Sequence, residues 1–102
     1  MKKLFHKFNA VRTEVDSIKF ASRKEADYYR ALLLRQKAGD VVFFLRQVPF
    51  HLPGGVRYVV DFLEFRTDGT VAFVDVKGMK TPEYKAKKKM VEALYPVVIE
   101  EV

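Results

Sequence analysis

The chain reads as an α/β protein with an αβββαβ core, a mixed central sheet flanked by helices on both sides. Three observations predict it. Two helix starts are signalled, at Ser22-Arg23-Lys24-Glu25 and at Thr81-Pro82-Glu83, each with a polar residue placed to cap the first turn. Runs rich in β-branched and aromatic residues occupy 41–48 and 56–78, the second divided at Thr67-Asp68-Gly69. A last apolar run, 97–102, follows the second helix and supplies one more strand for the sheet edge.

In chain order, residues 1–13 form a basic N-terminal arm, with Lys2, Lys3, Lys7 and Arg12 around Phe5 and Phe8. Residues 14–102 form a single domain. Its first piece, 14–20, is expected to be a short strand or hairpin turning at Asp16-Ser17. Ser22 and Glu25 then fit the S-x-x-E capping box, and the helix places Ala26, Tyr29, Leu32, Leu33 and Gln36 inward before stopping at Gly39. The nearly continuous apolar character of 41–48 suggests a strand covered on both faces and ended by Pro49, with 50–55 a loop. Arg46 and Gln47 at the end of this strand either sit near the candidate site or terminate the strand; Arg46 reads as a terminus, and for Gln47 both readings stay open. His51 and His6 read as surface histidines, since no second histidine stands at metal spacing. The second helix runs to Tyr95-Pro96, with Ala86, Met90, Ala93 and Leu94 toward the sheet and Tyr84, Lys85, Lys88 and Lys89 outward.

The stretch VRYVVDFLEFRTDGTVAFVDVKG, 56–78, holds the candidate chemistry. Asp75 and Lys77, two apart on a strand, project the same way. A three-residue loop over Thr67, Asp68 and Gly69 pairs Arg66 with Thr70 and sets Asp61 opposite Asp75. A two-residue loop at Asp68-Gly69 pairs Asp61 with Val76 and separates the carboxylates; the bulged turn is the expectation. Two carboxylates and a lysine among Val59, Leu63, Val71 and Phe73 suit a buried strand face only when paired or bound to a cation. A cross-strand ion pair of Lys77 with either aspartate is the structural alternative, and a plain helix cap is the alternative for Glu25.

The 102 residues are 49% apolar, enough for one small core, and carry 19 Lys and Arg against 13 Asp and Glu, a net charge of +6. That balance points to a polyanionic partner, nucleic acid before a membrane surface. The absence of cysteine excludes disulfides and thiolate metal sites. No apolar run reaches membrane-spanning length and the start lacks a signal peptide's apolar region, so a cytoplasmic location is expected.

The order of elements, with Glu25 on the first helix, then Asp61, then Asp75-Val76-Lys77, resembles the PD-(D/E)XK nuclease superfamily, with D-x-K standing for its E-x-K. The resemblance extends over most of the chain to small phage-encoded nucleases of that superfamily. It rests on FASRKEADYY (20–29), VRYVVDF (56–62), VDVKG (74–78) and YKAKKKMVEALYP (84–96). Ser17 departs from it, standing where glycine is expected in the turn before the first helix.

The resemblance implies a restriction-endonuclease-like fold and a catalytic set of Glu25, Asp61, Asp75 and Lys77. Asp61, Asp75 and the Val76 carbonyl would hold Mg²⁺ or Mn²⁺ through hard oxygen donors. Lys77 would orient the attacking water, Glu25 would act through the ion's outer shell or a second ion, and Ser22 and Gln47 are candidates to support the site. Lys7, Arg12, Lys80, Tyr84, Lys85 and Lys88 are the candidate nucleic-acid contacts. The expected activity is nicking of branched or structured DNA in phage DNA processing, in the manner of a Holliday-junction resolvase, within the host cytoplasm. A chain this short reads backbone and shape rather than bases, and two cuts across a symmetric junction imply a homodimer. Other readings are a non-catalytic basic DNA-binding module and an RNA-directed nuclease of the same fold.

Overall fold

The computed structural model describes residues 12–102. A hairpin comes first: β1 (Thr13–Val15) and β2 (Ile18–Phe20) pair antiparallel, with Thr13 opposite Phe20. Asp16 and Ser17 join them at φ 52 and 65, the left-handed pair that a two-residue type I′ turn requires. Serine thus occupies a conformation that favours glycine. The first helix, α1 (Arg23–Ala38), opens on Ser22, whose Oγ accepts the Glu25 amide at 3.1 Å, and closes at Gly39 with φ 92.

Four strands form the main sheet in the order β3 (Val41–Leu52), β4 (Val56–Arg66), β5 (Val71–Asp75), β6 (Ile99–Glu101). The first three are antiparallel neighbours. β6 returns parallel to β5 after the second helix, α2 (Pro82–Leu94), so the sheet is mixed. From α1, Ala26, Tyr29 and Leu32 pack on Phe62, Ala72 and Val74. From α2, Tyr84 and Val91 pack with Phe50, Tyr58, Val60 and Ile99. Phe73 and Val74, consecutive in β5, serve different clusters, so the helices lie on opposite faces. Among the described residues no helix is long and apolar enough to cross a membrane.

The loop between β4 and β5 has the expected three residues. The Arg66 amide reaches the Thr70 carbonyl at 2.9 Å, Gly69 sits at φ 89, and Asp68 Oδ1 takes the Thr70 amide at 2.9 Å. The resulting register, Phe62 to Val74 and Phe65 to Val71, is the one that sets Asp61 opposite Asp75 at the next step.

Four expectations need correction. β3 continues through Pro49 to Leu52, and only a 3-10 turn, Pro53–Gly55, remains of the loop. A proline is tolerated there because β3 is the sheet edge, where a missing ladder donor is least felt. Nor is β3 covered on both faces: Val42, Phe43 and Leu45 are exposed, with the Phe43 ring stacked on Phe65 at 4.3 Å. Its apolar run reflects an open aromatic face. In α2 the inner positions are Tyr84 and Val91, two turns apart, while Ala86, Met90, Ala93 and Leu94 are exposed. Tyr84 is drawn inward by Tyr58, 6.2 Å between ring centroids, and by the Glu101 carboxylate, 2.7 Å from its hydroxyl. Gln36 is exposed as well, and its Nε2 donates to the Val42 carbonyl.

Candidate active site

The site lies on one row of the sheet where side-chain alternation breaks. Even-numbered residues of a regular strand share a face. In β4, however, Phe62 packs under α1, whereas Tyr58 and Val60 pack under α2. In β3, Phe44 likewise belongs with α1, while Val48 and Phe50 belong with α2. Both strands therefore exchange faces at the same level, Gln47 in β3 and Asp61 in β4, which the flanking pairs Arg46–Phe62 and Val48–Val60 set opposite each other. Gln47 supplies the break with a left-handed backbone, φ 54, as a residue does in a bulge.

On the other side of Asp61, carboxylates replace carbonyls in the ladder. The Asp61 amide donates to Asp75 Oδ1 at 3.0 Å, and the Val76 amide donates to Asp61 Oδ2 at 2.9 Å. Gln47, Asp61 and Asp75 thus form one row across three strands. Glu25 reaches it from the first turn of α1, only 7% exposed, and Gln47 Nε2 donates to its Oε2 at 3.4 Å. The capping box is therefore only half made: Ser22 caps, and the Glu25 carboxylate is given to the row.

Lys77 is fixed by its backbone and its ring contact. Its amide donates to the Val102 carbonyl at 3.1 Å, and the Val102 amide donates to the Asp75 carbonyl at 3.0 Å. Its ammonium stands 4.4 Å from the centre of the Tyr84 ring. Lys24 Nζ donates to the Lys77 carbonyl at 2.9 Å, tying the start of α1 to the end of the D-x-K segment.

All three acids resist ionisation. Burial, and then the Asp61 charge, push the Glu25 carboxyl up to about 7, against the pull of Arg46 and Lys77. Burial also raises Asp61, opposed by the Val76 amide and Lys77, and raises Asp75, opposed by the Asp61 amide and Lys77. Lys77 is therefore the one ammonium that favours the charged form of every acid here, and it does not compensate them fully.

Asp75 is wholly buried, and its Oδ2 has no hydrogen-bond partner. Such an oxygen suits a hard cation. Among the described residues no three His, Cys, Asp or Glu side chains are grouped to hold an ion, so a cation here would rest on two carboxylates and a carbonyl, Asp61, Asp75 and Val76. The donor chemistry of that set fits Mg²⁺ or Mn²⁺.

Two clefts share Glu25 and Asp61. One, of about 490 Å³, is lined by Ser22, Lys24, Lys77 and Met79. The other, of about 450 Å³, lies between the hairpin and β3 and is lined by Arg12, Lys19, Phe20, Arg46 and Gln47.

The nucleic-acid candidates divide. Arg12 is exposed in the second cleft, Lys85 is exposed with no ion pair among the described residues, and Lys7 lies outside those residues. Lys80 pairs with Glu101 at 3.1 Å, and Lys88 with Glu92 at 3.7 Å and Glu101 at 3.9 Å. Tyr84 is a correction: it is buried and supports Lys77 from within. Arg46 is a further correction: it does not end its strand, since β3 runs on to Leu52, and it lines the second cleft beside Glu25 and Asp61. Lys24 is a residue that sequence reasoning passed over. A lone arginine in the midst of an apolar strand, beside Gln47, was the available signal for Arg46.

Over residues 5–101 the sequence matches the family described as "Protein of unknown function (DUF1064)". No curated protein and no solved structure matches the chain.

Proposed function

We propose that this chain, which belongs to the DUF1064 family, is a divalent-metal-dependent endodeoxyribonuclease of the PD-(D/E)XK type. Its α/β architecture is then the restriction-endonuclease-like one, and its substrate is branched or structured DNA, the Holliday junction first. One observation carries the reading. The row that joins Asp61 to Asp75 leaves a fully buried carboxylate oxygen without a hydrogen-bond partner, with the Lys77 ammonium near enough to favour its charge and a third acid, Glu25, at the other end of the row. Burying a carboxylate unpaired is unfavourable by several kcal/mol, and a sheet has no structural need of it.

In this reading Asp61, Asp75 and the Val76 carbonyl hold Mg²⁺ or Mn²⁺. When bound, the ion supplies Lewis acidity at a phosphoryl oxygen and a lowered pKa for water. Lys77, held over the Tyr84 ring at 4.4 Å, orients the attacking water and offsets negative charge at phosphorus. Glu25, pushed up to about 7 by burial and then by the Asp61 charge, changes protonation around neutrality and would ionise more readily beside a cation held at Asp61. Lys24 and Lys77 line one side of the acids and Arg12, Lys19 and Arg46 the other, so a strand crossing the row meets cations before and after it. A junction with two-fold symmetry requires two cuts, hence a homodimer. In a phage setting the work is done in the host cytoplasm.

The test is nicking of supercoiled plasmid with Mg²⁺ or Mn²⁺, then cleavage of a panel of junction, flap, duplex and single-stranded DNA and of RNA. Nicking is expected to vanish in Asp75→Ala and in Lys77→Ala. Nicking retained in both variants overturns the proposal. Binding without cleavage by the wild type favours the DNA-binding module, and preference for RNA moves the same chemistry to another substrate.

A further inference from the structure

We propose that the cleft between the β1–β2 hairpin and β3 is a subsite for the phosphodiester next to the one that is cut, with Arg46 as its phosphate-binding residue. The inference rests on the nuclease reading above and adds to it where the substrate backbone runs.

Arg46 differs from the other half-buried arginines of the sheet side. Arg35 and Arg66 both spend their guanidinium groups on Glu64, at 3.1 Å each. Arg46 makes no ion pair among the described residues, and its Nε is buried without a hydrogen-bond partner. Its guanidinium is nevertheless held in place, 4.6 Å over the centre of the Phe20 ring. An oriented fork of donors with no acceptor is a receptor for an oxyanion, and a guanidinium matches phosphate in two-point geometry where an ammonium does not.

Its surroundings point the same way. Arg12 and Lys19 line the same cleft, both exposed and neither in an ion pair among the described residues. The carboxylates in that cleft are Glu25 and Asp61, at the boundary shared with the catalytic side. Arg46 is close enough to favour the ionised form of both. A phosphate on the guanidinium therefore lies one step along the backbone from a phosphate at the acids, inside a wall made by the hairpin. Structural duty alone does not explain the arginine, since a methionine would cover Phe20 without burying an unmet donor.

The experiment measures binding of a fluorescein-labelled DNA junction in EDTA, where no cleavage proceeds, for wild type, Arg46→Met and Arg46→Lys. Arg46→Met keeps the stem over Phe20 and is expected to bind about 10-fold more weakly, with the slope of log K against log salt reduced by about 0.7–0.9, one phosphate contact. Arg46→Lys keeps charge without the fork and should fall between. A neutral methylphosphonate next to the mapped cut site should weaken wild type by a similar factor and leave Arg46→Met unaffected, the coupling expected of direct contact. Wild-type affinity and salt slope in both variants, or a methylphosphonate penalty that simply adds, overturns the subsite while plasmid nicking by wild type leaves the nuclease reading standing. A wild type that neither binds nor cuts nucleic acid removes both.

Discussion

Two buried carboxylates stand three residues and one strand apart and could hardly be treated more differently. Glu64 in β4 is fully enclosed and fully met: the Tyr28 hydroxyl takes one oxygen, and Arg35 and Arg66 take the other, each at 3.1 Å. Burial, and then the hydrogen bond to Glu64, raise the Tyr28 phenol above its ordinary value and keep it a donor. Asp75 in β5 is equally enclosed but half met, one oxygen on the Asp61 amide and the other on nothing. Burial of charge does not by itself mark a site, because structural networks bury charge too. The deficit separates them: Glu64 fastens α1 to the sheet, while Asp75 keeps one oxygen for which the described residues supply no hydrogen-bond partner.

The sharpest way to break this contrast is Asp75→Asn. Plasmid nicking is expected to fall by about 10⁴-fold, roughly 5.5 kcal/mol of barrier, while the thermal midpoint stays level or rises because an unmet charge is gone. A large drop in the midpoint instead would make Asp75 a second Glu64. The converse variant, Glu64→Gln, should leave nicking per folded molecule intact and lower stability by about 3 kcal/mol in urea titration. That is the low end for breaking a buried pair, since Arg35 and Arg66 keep 34% and 28% of their side-chain exposure and can turn to water.

Glu25 sharpens the comparison through pH. Its folded carboxyl titrates at about 7 against an ordinary 4.5, so the folded state keeps a proton that the unfolded chain has released. The stability this gives is whole below about 4.5 and is lost as pH rises through about 7. Without divalent ions, wild type should therefore lose on the order of 1–2 kcal/mol more than Glu25→Gln between pH 5 and pH 8 in denaturant titrations. Equal losses would show that neither burial nor the Asp61 charge raises the Glu25 carboxyl. Smallest of all, Ser17→Gly touches neither carboxylate and relieves a left-handed serine at φ 65. A gain of about 0.5 kcal/mol in the same titration, with nicking unchanged, calibrates what the hairpin alone contributes.

Much of this was legible from residues. Thr67-Asp68-Gly69 carried the loop type and hence the facing of Asp61 and Asp75, because a glycine at φ 89 closes a three-residue turn. Ser22 and Gly39 marked both ends of α1. The face exchange was not legible: nothing in the composition around Gln47 announces its left-handed backbone, and without that break the apolar residues of β3 fall on both faces of one regular strand. Glu64 escaped notice although its partners Tyr28 and Arg35, seven residues apart, present one helix face to it. The phase of α2 was misread because two stripes compete there. Tertiary contacts of Tyr84 decided for the shorter one, Tyr84 and Val91, over the longer run of small and aliphatic residues.

Val102 embraces the peptide on either side of Val76, accepting from Lys77 and donating to Asp75. That embrace exists only after α2 has crossed over and β6 has docked on β5. During synthesis, when Glu25, Gln47 and Asp61 have already left the ribosome, the pair that completes them is still unanchored. The backbone around Val76 consequently reaches its final geometry only once residues 99–102 have docked, so the row that runs from Gln47 to Asp75 is closed by a segment about forty positions beyond Asp61.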